Sequence, residues 1–207
     1  MSQYADYGFS TSDYPHIHSY LLDPLLRLLS KNVNKKILDV GCGNGWLTNT
    51  LIEQGFDAYG TDASESGIQI AKEKNSNRFF VQDISKDDLP EELQVIQFDT
   101  IISTEVIEHL YDPKNYFEFC RKILQRTGYG ELILSTPYHG YLKNVALSLS
   151  GKMDGHFTVL WPGGHIKFWS KKTLTVALEQ QNFKVTKFIG CGRIPWMWKS
   201  MIIKAQI

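Results

Sequence analysis

The chain has 207 residues, 43% of them apolar and 13% aromatic, enough for one domain with a full core. Its 22 basic and 22 acidic residues cancel, unlike a dedicated nucleic-acid binder, whose affinity rests on a basic surface that neutralises phosphates. No stretch approaches the roughly 18 apolar residues of a membrane span, and the opening MSQYADYGFS lacks the apolar run of a secretory leader. Cys42, Cys120 and Cys191 lie far apart with no CxxC spacing. They read as reduced core thiols, so the expected location is cytoplasmic.

Residues 1–34 contain YPHIHSYLLDPLLRLLS, an aromatic-then-aliphatic run expected to pack as helices against the sheet edge. Within it His16 and His18 alternate, a weak metal pattern, and the nearby tyrosines are expected to cover a bound ligand. Five runs then read as buried strands: KKILDV (35–40), DAYGT (57–61), RFFVQ (78–82), DTIIS (99–103) and ELILST (131–136). Between them NGWLTNTLIEQG, SESGIQIAKEKN and PKNYFEFCRKILQRTG carry helical spacing. Asp112 and Pro113 suit a helix start, while Gly55 and Gly128 suit helix ends. This alternation predicts βαβ units and a mostly parallel sheet covered on both faces. Residues 137–170 form a long aromatic excursion, read as a lid. A helix follows from near Ser170, and KVTKFIG (184–190) with KSMIIKAQ (199–206) predicts a terminal antiparallel hairpin.

The segment ILDVGCGNGWLT (37–48) raises the question of ligand. A dinucleotide fingerprint is GxGxxG, but here Trp46 holds the third position and Gly41, Gly43 and Gly45 give GxGxG. Asp39 precedes the loop at the carboxyl end of the first strand. A carboxylate there repels a pyrophosphate and attracts the α-ammonium of a methionine moiety. Asp62, 21 residues after Gly41, sits where an acid takes both ribose hydroxyls. Asp83 after the third strand is placed to accept from an adenine amino group, with the Ile84 N–H donating to the ring. Three acids at three successive strand ends thus read three parts of one nucleoside.

ILDVGCGNG, YGTDAS, VQDIS and FDTIISTEVIEHLYDP together resemble a class I S-adenosylmethionine-dependent methyltransferase, in particular the branch with the ubiquinone-biosynthesis O-methyltransferases. The resemblance spans roughly residues 35–190 and is specific for the cofactor more than for the substrate. It implies a Rossmann-like three-layer α/β sandwich with a seven-stranded sheet, one strand antiparallel. The cofactor would be S-adenosyl-L-methionine, with S-adenosyl-L-homocysteine as product, lying across the strand ends. Cys42 in the loop, Ala63 beside Asp62, Ser103 at the end of the fourth strand and Glu105 just after it complete the expected cofactor contacts. The expected organisation is a single methyltransferase domain over 1–207: helical cap 1–34, cofactor-binding core 35–136, substrate lid 137–170, terminal helix and hairpin 171–207.

Three places bear on the methyl acceptor. In STEVIEHLYDP, a helical turn over 105–109 would put Glu105, Glu108 and His109 on one face. His109 then reads as a general base. The trio also reads as the divalent-metal site suggested by ubiquinone-type relatives, or as acids at a helix start with His109 bracing the pocket. The lid gathers Tyr138, His139, Tyr141, His156, Phe157, Trp161, His165, Phe168 and Trp169, an aromatic lining for a planar or lipophilic small molecule. His165, between Gly-Gly and a strand-like IKFW, is the second candidate base. In GCGRIPWMWKSM, Trp196, Met197 and Trp198 beside Arg193 and Lys199 suit a hairpin loop, with contact to a membrane surface as the lesser alternative.

The TPY of STPYHG lies in the wrong place for a nucleic-acid amino-methyltransferase motif, which belongs where this chain has ISTE. No nucleic-acid partner is expected. The reading is therefore methylation of a small acceptor, at oxygen by the family branch and the nearby histidines. Its rivals are a non-catalytic cofactor-binding protein on the same fold and a nicotinamide-dependent oxidoreductase, the latter opposed by Asp39.

Overall fold

A computed structural model describes residues 9–11, 18–85, 88–157, 160 and 163–207. Seven strands form one sheet: β1 (Lys36–Val40), β2 (Asp57–Asp62), β3 (Phe79–Val81), β4 (Thr100–Thr104), β5 (Glu131–Pro137), β6 (Lys184–Cys191) and β7 (Ser200–Gln206). Their order is β3-β2-β1-β4-β5-β7-β6. Pairs from β3 through β5 are parallel, and β7 runs antiparallel to both β5 and β6. One strand therefore opposes six, the Rossmann-like arrangement the alternation and the resemblance implied.

The helices are α1 (His18–Leu26), α2 (Trp46–Glu53), α3 (Glu65–Lys72), α4 (Glu91–Gln94), α5 (Pro113–Leu124), α6 (Tyr141–Leu149), α7 (Met153–Phe157) and α8 (Lys171–Gln180). Strand side chains alternate between faces, and both faces here are apolar. Ile37 of β1 packs with Leu21 and Leu25 of α1, Leu51 of α2, and Ile102, Ile133 and Ile202. Its neighbour Leu38 joins Phe117 and Cys120 of α5, Leu174 and Leu178 of α8, and Ile101, Leu132 and Ile203. Each such fully buried side chain contributes about 1.5–3 kcal/mol. The outer strand β6 is largely exposed and carries Lys184 and Lys187, charges that discourage pairing with another chain.

Local signals operate as read. Asp112 accepts from the backbone N–H of Lys114 and Asn115 with Pro113 opening α5, and Gly128 follows at φ 73°. Ser170 and Thr173 form a reciprocal capping box on α8. Other expectations need correction. RFFVQ shortens to the three residues of β3, and α4 was not foreseen. The excursion 137–170 contains α6 and α7. IKFW is not a strand: Ile166 and Lys167 donate their N–H groups to the Glu108 carbonyl at 2.9 and 3.0 Å, so this backbone bonds a loop instead of a sheet neighbour. His16, the tyrosines at 4, 7 and 14, and Trp161 lie outside the described residues. Among the described residues no helix is long and apolar enough to cross a membrane.

Candidate active site

The sheet order reverses between β1 and β4, the crevice where open α/β sheets take ligands. Beyond β1, Gly41, Gly43 and Gly45 adopt φ of 80°, 55° and 73°, values that side chains disfavour. A Cβ at Gly41 would lie 2.3 Å from a Val106 methyl, and one at Gly45 would lie 2.4 Å from Ala71 Cβ. Loop, α3 and the segment after β4 are thus packed without room for side chains. The N–H groups of Gly41 and Cys42 both donate to the Thr61 carbonyl, at 2.8 and 3.0 Å. The Cys42 thiol is buried beneath the loop with Ile68, Ala71 and Phe79, facing the core.

The three strand-end acids differ in setting. Asp39 is fully buried. Its Oδ2 accepts from Thr48 Oγ1 at 2.6 Å, whereas Oδ1 has no partner among the described residues. Burial lifts its carboxyl to about 7, opposed by the Thr48 hydrogen bond. Asp62 accepts from Gly43 N at 2.8 Å and from Ser64 N at 2.8 Å, which fixes its carboxylate between the glycine loop and α3. Ala63, next to it, is partly exposed. Asp83 closes a turn by accepting from Ser85 N and Ser85 Oγ, with Ile84 partly exposed inside that turn. Phe9 was not singled out from sequence: its ring lies against both Gly43 and Gly67.

After β4 the chain does not form the helical turn expected over 105–109. Glu105 is left-handed at φ 55°, and only Ile107–His109 makes a 3-10 turn. The Glu105 N–H donates to the Ser135 carbonyl. Its carboxyl accepts from Ser135 Oγ at 2.8 Å and Ser200 Oγ at 3.2 Å, and burial lifts it to about 7. Glu105 is therefore parted from the face of Glu108 and His109. Ser103, also expected to touch cofactor, is buried, and its hydroxyl donates to the Val40 carbonyl at 2.8 Å, tying β4 to β1.

A different trio forms instead. Glu108, His109 and His165 bring one ligand atom each within 4.8 Å of one another. Glu108 is fully buried and accepts from Thr136 Oγ1 at 3.0 Å, and its Oε1 lies 4.0 Å from His109 Nε2. Burial and Glu105 raise the Glu108 carboxyl well above its usual range. The His109 and His165 rings meet edge to face, 4.9 Å between centroids. Desolvation lowers His109, partly offset by hydrogen bonds to the Gly164 and Gly163 backbone. Desolvation and then His109 push His165 down to about 4.

Described residues of the 137–170 segment pack at this end of the sheet, where the Tyr138 N–H donates to the Lys199 carbonyl at 3.1 Å and the His139 N–H to the Trp169 carbonyl at 2.9 Å. His139 packs against His156, Phe157 and Phe168, with centroids at 5.2, 6.4 and 5.0 Å. Tyr138 meets Trp198 edge to face at 5.0 Å. Tyr20 of α1, one of the tyrosines expected to cover a bound ligand, is half-buried beside Ser200 and Glu105, and desolvation raises its hydroxyl pKa.

Residues 14–187 match a family described as a methyltransferase domain. The chain belongs to the S-adenosylmethionine-dependent methyltransferases. It is similar to the ubiquinone biosynthesis O-methyltransferase of Dinoroseobacter shibae, 29% identical over 152 residues, covering 70% of this chain and 58% of that protein. The enzyme of the same name from Cereibacter sphaeroides is 27% identical over 139 residues, covering 66% and 53%. The methyltransferase thus spans little more than half the length of these curated relatives. Among solved structures, the magnesium protoporphyrin IX methyltransferase of Synechocystis PCC 6803 with bound SAH superposes with a TM-score of 0.66 at 21% identity, covering 90% of this chain and 81% of that one. An S-adenosylmethionine-dependent methyltransferase from Mesorhizobium loti gives 0.67 at 20% identity, covering 89% and 96%. At such identities these likenesses establish the fold.

Proposed function

We propose that this methyltransferase transfers its methyl to an oxygen of a small aromatic or lipophilic acceptor held beneath the 137–170 lid. Three features of the cofactor side support the donor assignment. The unpartnered Asp39 Oδ1 suits an α-ammonium, and the left-handed glycines expose backbone to the methionine half. Asp62, fixed between the glycine loop and α3, suits the ribose hydroxyls, with Asp83 and Ile84 for the adenine. When bound, S-adenosylmethionine supplies an electrophilic methyl on a sulfonium and departs as the neutral homocysteine thioether.

The observation that carries the acceptor reading is the meeting of His109 with His165 beside the loop whose Val106 packs on Gly41. It brings an imidazole from the cofactor side against the lid. His109 takes the acceptor hydroxyl proton as that oxygen bonds the methyl carbon. Such a base is worth typically about 10²–10⁴-fold, and holding the partners together contributes about 7–11 kcal/mol. His165, near 4, is too weak a base for neutral pH, so it serves to orient His109. The names of the curated relatives favour oxygen. Free, buried Cys42, Cys120 and Cys191 support a reducing compartment such as the cytoplasm.

One observation favours a second reading. Two imidazoles and a carboxylate converge at Glu108, His109 and His165, a donor set suited to a divalent transition metal. A metal held there would lower the pKa of the acceptor hydroxyl. The deciding experiment is turnover of catechol-type acceptors with and without EDTA. Full activity after chelation supports His109 as base; loss restored by added metal supports the second reading; no turnover with phenols, acids or amines overturns the acceptor proposal.

A further inference from the structure

Within the 137–170 segment, α6 carries a lysine that the methyl-transfer scheme leaves unused. Lys143 is only 5% exposed, yet makes no ion pair with a carboxylate among the described residues. Among the described residues its ammonium makes only a long donation to the Lys199 carbonyl, at 3.3 Å. Burying a cation without an ion-pair partner is unfavourable, and Glu105, too far for an ion pair, offsets only part of that cost. Two more polar groups nearby are also unsatisfied. His139 is 7% exposed, and the Nε2 atoms of His139 and His156 are buried with no partner among the described residues. The two rings stand 5.2 Å apart, flanked by Phe157 and Phe168, which meet each other edge to face at 4.9 Å.

These groups lie close enough to act on one another. After desolvation, the Lys143 ammonium is the next cause that lowers His139, to about 4, and His156. Desolvation and then Arg193, at the mouth of the β6–β7 loop, lower Lys143 to about 8. The imidazoles are therefore neutral and can each offer an N–H, while Lys143 supplies the single buried positive charge. Glu105 lies close enough to Lys143 to act on it and, when ionised, repels a doubly charged anion about twice as strongly as a monoanion.

We infer that Lys143, His139 and His156 form an anion subsite for a carboxylate borne by an aromatic acceptor. The phenylalanines wall its ring, and the ammonium and ring N–H groups take its charged end. This subsite rests on the acceptor reading of the lid above. It makes the preferred acceptor an aromatic monocarboxylate with a methylatable oxygen elsewhere on the molecule.

Calorimetry tests this with benzoate, benzyl alcohol and inorganic phosphate as probes, each titrated into the protein saturated with S-adenosylhomocysteine. Benzoate is expected to bind at least tenfold more tightly than benzyl alcohol. Lys143→Gln is expected to abolish that preference and Lys143→Arg to restore part of it, with S-adenosylhomocysteine affinity unchanged as the control for folding. Should Lys143→Gln fail to hold S-adenosylhomocysteine, His156→Phe replaces it and is expected to weaken benzoate alone. Equal binding of benzoate and benzyl alcohol, or benzoate binding indifferent to Lys143 and His156, would overturn the subsite. Phosphate binding above benzoate would overturn the carboxylate. Failure of S-adenosylhomocysteine to bind the native protein would instead strike the cofactor reading, a separate result.

Discussion

The His109 and His165 rings meet at 4.9 Å, joining the turn after β4 to the far end of the lid. That contact divides their roles. His109→Ala is expected to lower kcat by about 10²–10⁴-fold with little change in cofactor affinity, whereas His165→Ala should cost less. Since desolvation depresses His109 below 6.5, it stays unprotonated at neutral pH. With the methyl donor saturating, the acid limb of kcat should therefore fall below pH 6.5, the rate dropping as the imidazole gains its proton. Equal losses from both variants, or an unchanged rate for His109→Ala, would remove His109 as base.

If Asp39 holds the donor's α-ammonium as proposed, its buried carboxyl makes cofactor binding proton-linked. Burial holds it near 7 without a cation, and an ammonium on Oδ1 favours the ionised form. Binding below that pH then releases a proton, so affinity for S-adenosylhomocysteine rises with pH and levels off above about 7. The slope approaches about tenfold per pH unit at most. Asp39→Asn should bind weakly and without that slope, as calorimetry in buffers of differing ionisation heat would show. A slope that survives the substitution would assign the proton elsewhere.

Gly41 carries two separable penalties for a side chain, a clash with Val106 and a φ of 80°. Gly41→Ala should weaken cofactor binding and lower Tm. Adding Val106→Ala relieves the clash and leaves about 1–2 kcal/mol from the left-handed backbone. Full recovery in the double variant would show that the backbone strain is negligible.

Far from the site, Asn34 donates to Thr100 Oγ1 and Glu131 Oε2, both at 2.7 Å, while Lys204 pairs with Glu131 at 2.6 Å. Asn34→Ala should cost about 1–3 kcal/mol of stability by leaving buried acceptors unmet. Turnover at a temperature where the variant is folded should be unaltered. A change in KM instead of Tm would connect this network to the site.

The sheet was legible because its signals are local. Ile37 and Leu38 are both apolar because both faces are covered, Asp112–Pro113 encodes its own cap, and glycines mark the loop whatever surrounds them. What was not legible depended on distant partners. Glu105 leaves the helical turn because its N–H and carboxyl bond β5 and β7, residues no local window contains. Lys143 lies on a helix of polar and apolar residues with nothing to announce burial. His139 and His156 stood out as lid residues, but only folding puts them side by side. For the metal trio, spacing suggested Glu105, and the fold substituted His165, 57 positions beyond Glu108 by sequence number.

The place of β7 between β5 and β6 has a consequence for the order of events on the ribosome. The lid takes its bearings from the start of this strand: the Lys199 carbonyl accepts from Tyr138 and Lys143, and the Ser200 hydroxyl donates to Glu105. During synthesis β5 must therefore wait with an open edge until residues 200–206 emerge, although the glycine loop and its acids are already translated. On the proposed reading, the donor side is thus complete in sequence before the segment over the acceptor has its anchor. Early loading of the donor would protect the half-built sheet during the interval when an unpaired edge is most prone to aggregation.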